Sequence, residues 1–189
     1  MTGNENKNSH PAGSPFRSAG SVKIFLVGFM GCGKTHWGQR LAEKLTLPFF
    51  DLDLQIEEKE EKNITEIFAA QGEEHFRLLE KDVLHLVTES HDSFIMATGG
   101  GTPCFYNNID YMKAQGVVVW INCPVDCLHG RLLKEKEKRP LIRDLSDDQL
   151  HAYITKKYAD RKIYYRQASV IIDGENLTLE NLLNKIVHI

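Results

Sequence analysis

The sequence predicts an α/β domain in which a five-stranded parallel sheet is flanked by helices. Three observations predict it. Five apolar, β-branched runs recur along the chain: "VKIFLV" (22–27), "PFFDL" (48–52), "SFIMAT" (93–98), "VVVWI" (117–121) and "SVIID" (169–173). Runs this continuous suit strands buried on both faces. Helical patterns fill the intervals between them. The first run leads straight into the glycine-rich "GFMGCGKT" (28–35) and then a helical stretch. Alternation of β and α makes a doubly wound sheet, with ligands at the carboxyl ends of the strands. A chain of 189 residues fits one such domain with a sizeable core.

Residues 1–20 are polar and rich in Gly, Pro, Ser and Asn. They lack the apolar stretch of a secretion signal and are expected to be a disordered tail before a domain spanning 21–189. "GFMGCGKT" fits the phosphate-loop pattern G-x-x-x-x-G-K-[ST]. Gly28, Gly31 and Gly33 let the backbone wrap an anion with successive N–H groups inward. Lys34 can reach the β and γ oxygens of a nucleotide, and the Thr35 hydroxyl can ligate Mg²⁺. The helix that follows carries Trp37, Leu41 and Leu45 on one face.

The second strand ends in "FFDLD". Two residues apart in extended chain, Asp51 and Asp53 face the same way, toward the mouth of the loop. One can hold a water of the Mg²⁺ shell and the other can accept a hydroxyl proton; alternatively, one simply caps the next helix. In "GEEHFRLLEKDVLHLVTES" (72–90), Phe76, Leu79, Val83, Leu86 and Val87 recur at helical spacing. Arg77 falls on the polar side, four residues from Glu73 and three from Glu80, as in a surface ion-pair ladder. The third strand brings no acidic residue for a metal, which leaves Asp51 as the substitute. It ends in "TGGG" (98–101), either a turn or a place where a ligand approaches bare backbone.

Further helices are expected after Pro124, Ser146 and Thr178, with Ser146 and Gln149 forming a capping box. Between the first two lies "LKEKEKRPLIRDLS", charged and containing Arg139. It reads as a mobile lid over residues 134–145 rather than a solvated loop. Arg161, in "YADRKIYYRQA", has an ordinary place on a helix surface, yet together with Arg77 it suggests a pocket for a small anion.

Composition narrows the function. A net charge of −3 gives no electrostatic footprint for nucleic acid, and no apolar run approaches the ~20 residues that span a bilayer. Cys32, Cys104, Cys123 and Cys127 make no paired C-x-x-C framework, as expected in a reducing compartment. Cys32 sits near Lys34, where a thiolate is stabilised, unless its thiol faces the helix packing and is inert.

"GFMGCGKT", "FFDLD", "ITEIFAAQGEEHFRLLE", "ATGGG", "RPLI" and "DRKIYYRQA" occur in the order seen in shikimate kinases, and from about Ser21 onward the chain resembles that family. The resemblance implies a P-loop kinase fold of the nucleoside-monophosphate-kinase type with a lid segment. It also implies transfer of the γ-phosphoryl of ATP to the 3-hydroxyl of shikimate by a cytoplasmic, monomeric, Mg²⁺-dependent enzyme. Gly31, Cys32, Gly33, Lys34, Thr35 and His36 then form the nucleotide-binding stretch, with the lid arginine Arg139. Thr35 and Asp51 match the metal side. Asp53 matches the acceptor-binding aspartate and base, and with Lys34 and Arg139 makes up the catalytic set. Arg77 and Arg161 match the arginines that hold the substrate carboxylate, and Gly99, Gly100 and Gly101 the triplet beside shikimate. Arg131 resembles the arginine that packs on adenine, although the "KEKEK" segment stretches its spacing to Arg139. "EEKN" before Ile64 lacks the usual turn glycine, and Asn63 is expected to supply the left-handed residue. A gluconate kinase, or a nucleotide-binding module without catalysis, remains the rival reading.

Overall fold

The computed structural model describes residues 20–139 and 141–187. The expected tail, up to residue 19, and Pro140 of the expected lid lie outside the described residues. Five parallel strands, β1 (Lys23–Val27), β2 (Phe49–Asp51), β3 (Phe94–Ala97), β4 (Val117–Asn122) and β5 (Val170–Asp173), form one sheet in the order β2-β3-β1-β4-β5. Each expected strand is present; β4 gains Asn122, and the other four are trimmed by a residue at one or both ends. The central strands are apolar because both of their faces are covered: Ile24, Phe25, Leu26, Ile95, Met96, Val118 and Val119 are all fully buried. Burying each of the larger ones contributes about 1.5–3 kcal/mol.

Among the described residues, seven α-helices flank the sheet: α1 (Lys34–Leu45), α2 (Leu52–Glu60), α3 (Ile64–Ser90), α4 (Asn108–Gln115), α5 (Val125–Glu135), α6 (Asp147–Tyr165) and α7 (Leu179–Val187). The chain leaves β1 toward β2 on one side and reaches β4 on the other. The loops after β1, β2 and β3 therefore meet where ligands bind in doubly wound sheets.

Two local expectations change. The helix expected from residue 72 is the second limb of α3, which begins at Ile64 and breaks at Gly72, where φ is 81° and ψ 177°. Asn63 is not the left-handed residue. Its φ is −73°, and it caps α3, accepting from the Glu66 amide while the Glu66 carboxylate accepts from its own N–H. Glu61 takes the left-handed conformation instead, at φ 52°. The Ser146–Gln149 capping box at the start of α6 is formed as expected.

Candidate active site

β1 delivers the loop 28–33, and the loop delivers α1. Gly28 is at φ 140°, and a Cβ there would stand 2.8 Å from the Ile121 carbonyl oxygen on β4; only glycine lets the loop leave the sheet at this angle. Lys34 Nζ folds back onto the loop, donating to the carbonyls of Gly28 (2.8 Å) and Phe29 (3.1 Å). Thr35 Oγ1 donates to Asp51 Oδ2 at 2.7 Å, while Asp51 Oδ1 accepts the Asp53 amide at 3.2 Å. Asp51 thus caps α2 and also stands beside the loop through Thr35. Asp53 reaches the site by another route than strand alternation. It lies in the first turn of α2, and Leu52 between the two acids is buried in the core.

Two cavities adjoin at this end of the sheet. One, of about 280 Å³, is lined by Gly31, Gly33, Lys34, Thr35, His36 and Asp51, among others. The other, of about 700 Å³, has Arg77, Arg161 and Gly99–Gly101 on one side and the apolar Ile64, Phe68 and Phe76 on another. Met30, Asp53, Gly100 and Arg139 line both. Asp53 therefore stands in the wall common to the two cavities. Burial pushes its carboxyl up from its usual 3.8 to about 6; the carboxylates of Glu80 and Asp51 push the same way, and Lys34 opposes them.

Arg77 departs from its expected place on a helix surface. Its side chain is buried and paired with the Glu80 carboxylate, which is buried too, while Nη2 and Nε reach Glu73 at 3.1 and 3.3 Å. Burial disfavours the charge of Arg77, but Glu80 and Glu73 outweigh that and raise its affinity for the proton. Glu80 also accepts from Thr102 Oγ1 at 2.6 Å. Gly101 leaves room for this pair: a Cβ would stand 2.7 Å from Arg77 Nη1. Arg161 faces the same cavity over the ring of Phe29, 5.6 Å from its centroid, with Nη1 3.3 Å from where a Cβ of Gly100 would be. The Tyr165 hydroxyl, on the same helix, donates to the Gly100 carbonyl at 2.5 Å. The sequence reading missed Glu80, Thr102 and Tyr165 as parts of the site. Only Glu80 left a signal, its spacing of three from Arg77.

Cys32 is fully buried and does not line the smaller cavity, so its thiol is shielded from reagents. The fold decides for the inert thiol over the reactive one. Arg131 donates to the carbonyls of Gly31, Cys32 and Gly174. Arg139 is held by Glu135, at 2.7 Å from Nη2 and 3.2 Å from Nε. The charged segment 134–145 is anchored by apolar side chains: Ile142 is fully buried and Leu145 packs against the core, while Leu141 is largely exposed beside the larger cavity. Hydrogen exchange should divide accordingly. Amides at 136–139 and 141 are expected to exchange fast in the free protein and to slow when an ATP analogue and shikimate are both bound. Slow exchange there without ligand would remove the lid.

Among the described residues no group of three or more His, Cys, Asp and Glu side chains is placed to hold a metal, and no helix is long and apolar enough to cross a membrane. Comparison with known proteins agrees with the geometry. The family model described as shikimate kinase matches residues 30–189. A shikimate kinase from Azobacteroides pseudotrichonymphae genomovar. CFP2 is 40% identical over 168 residues, spanning 87% of this chain and 99% of the relative. A crystal structure of shikimate kinase from Bacteroides thetaiotaomicron superposes with a TM-score of 0.83 at 38% identity, covering 89% of this chain and 99% of that one. Another, shikimate kinase from Acinetobacter baumannii in complex with shikimate, gives 0.77 at 34% identity, covering 92% and 93%.

Proposed function

The chain belongs to the shikimate kinase family, and from that premise we infer that it transfers the γ-phosphoryl group of ATP to the 3-hydroxyl of shikimate. The products are ADP and shikimate 3-phosphate, on the route through chorismate to aromatic amino acids. The observation that carries the assignment to this site is the pair of cavities with Asp53 in their shared wall. ATP occupies the smaller, its phosphates on the amides of 31–35. Shikimate occupies the larger, its carboxylate between Arg77 and Arg161.

The reaction needs little covalent chemistry from the protein. As the 3-hydroxyl oxygen bonds to the γ phosphorus and the bond to the β-bridging oxygen breaks, Asp53 accepts the hydroxyl proton. With an affinity for protons near pH 6, it is ionised at neutral pH yet still a useful base. Lys34 exchanges its loop carbonyls for phosphate oxygens. Arg139 leaves Glu135 and adds its charge on the departing side. Glu80 pairs with Arg77 in the wall of the acceptor cavity and so holds its guanidinium where it can donate to a substrate carboxylate.

Thr35 Oγ1 and Asp51 suit Mg²⁺, which prefers a few hard oxygen ligands and takes the rest from phosphates and water. Held by these two residues with the nucleotide, Mg²⁺ would supply positive charge to neutralise the phosphates. His36 lies at the rim of the same cavity. The four described cysteines are free, in keeping with work in the cytoplasm.

A coupled assay tests the assignment. ADP release should be stimulated by shikimate and not by gluconate. Stimulation by gluconate would make the chain a sugar-acid kinase on the same fold; stimulation by neither would leave a binding module.

A further inference from the structure

α5 runs into the lid, and near its C-terminal end Arg131 turns back beneath the phosphate loop. Its Nη1 lies 3.3 Å from the carbonyl oxygen of Gly31 and 3.3 Å from that of Cys32, with Cys123 Sγ at 3.4 Å. Its Nη2 donates to the Gly174 carbonyl at 3.1 Å, just past β5. The seam is tight: a Cβ on Gly31 would meet Leu132 Cδ2 and Cγ at 3.1 Å. One guanidinium thus ties the lid's root helix to two loops from different strands.

The chemistry of a peptide unit gives this contact its meaning. A C=O and the N–H of the next residue point in opposite directions from one plane. Where the loop's N–H groups turn toward an anion, its carbonyls turn away. Of the loop carbonyls that Arg131 holds, that of Cys32 is such an outward group: it shares its plane with the N–H of Gly33, which lines the smaller cavity. The N–H paired with the Gly31 carbonyl, that of Cys32, instead donates to the Phe29 carbonyl at 3.2 Å and braces the loop from within. A cation bonded to the outward oxygen fixes the plane and polarises the inward N–H.

We propose that Arg131 is a positioning residue for the phosphate site: anchored on Gly174, it pins the peptide plane between Cys32 and Gly33 with the Gly33 amide toward bound phosphate. The inference deepens the nucleotide half of the function given above and rests on it. It also differs from packing on adenine. A residue that stacks on the base acts only on ligands that have one, whereas a pinned loop acts on any polyphosphate.

Calorimetry with inorganic tripolyphosphate and with ATP separates the two, on wild type, Arg131→Ala and Arg131→Lys. Shikimate affinity without nucleotide reports in each case whether the domain is intact. The expected result is that Arg131→Ala weakens both phosphate ligands by a similar factor, about ten- to a hundred-fold, as for lost charge-assisted hydrogen bonds. Arg131→Lys should recover only part, because a point charge cannot serve three carbonyls at once. Shikimate affinity should stay within about two-fold, a change of only a few tenths of a kcal/mol. Weakened ATP with unchanged tripolyphosphate would overturn the proposal and leave Arg131 acting on the base. So would an equal loss of shikimate affinity in Arg131→Lys, which would make the residue a support of the whole domain. Wild-type binding of tripolyphosphate without shikimate-stimulated ADP release would count against the assigned reaction and not against this role.

Discussion

Replacing Asp53 with asparagine is expected to lower turnover by about 10²–10⁴-fold, the range for loss of a general base, while ATP binding persists. Asp53 is the one acid in the wall shared by the two cavities, and its proton affinity is raised by burial and by Glu80 and Asp51. Wild-type kcat/KM should therefore climb with pH through about 6 and level off above it. A Glu80→Gln or Asp51→Asn change should move that limb to lower pH, since each removes a neighbouring negative charge.

The same shift carries a stability consequence with a definite sign. The folded carboxyl binds its proton up to about pH 6, while the unfolded one releases it near 3.8. Between those values the folded state holds more protons, so stability falls as pH rises through the window and the penalty is fully present above 6. Asp53→Asn removes the penalty. In thermal unfolding without ligands, the variant should gain on wild type at pH 8 and lose that gain at pH 4. Near-normal turnover, or a gain confined to low pH, would make Asp53 a positioning residue only.

The second large effect is expected at Arg77. Arg77→Lys should raise KM for shikimate roughly ten- to a hundred-fold and change KM for ATP much less, because a lysine keeps the charge but not the planar fork. The lysine variant is the better test because of how Arg77 is buried. Arg77→Ala would leave Glu80 buried with Thr102 as its remaining partner, and breaking such a pair costs about 3–5 kcal/mol of stability. Unfolding would then mimic lost binding. A substrate analogue with a carboxamide in place of the carboxylate should lose a similar factor against wild type and far less against Arg77→Lys. Full additivity of the two changes would confine Arg77 to its pairing with Glu73 and Glu80.

Much of this was legible in the chain itself. The central strands announce themselves because a parallel sheet covered on both faces favours apolar, largely β-branched residues, and "GFMGCGKT" could be read because anion binding by backbone leaves glycines at fixed offsets. The Ser146–Gln149 box was equally visible, since a cap is satisfied within four residues. Local rules determine local features.

Where partners came from distant segments, the sequence ran out. Periodicity put Arg77 on the polar side of its helix, and that side proved to face a cavity lined also by Gly101 and by Glu80, to which Thr102 donates. Cys32 lay in an anion-binding loop by sequence, yet its thiol is buried in the core. Arg131 gave no sign that it would reach carbonyls about a hundred residues away in sequence. Burial and long-range hydrogen bonding depend on how helices pack on the sheet, which no single window of residues encodes. Which motifs the protein has was determined by sequence; which charged groups are dry, paired and aimed at a ligand was decided only when the strands brought their carboxyl ends together.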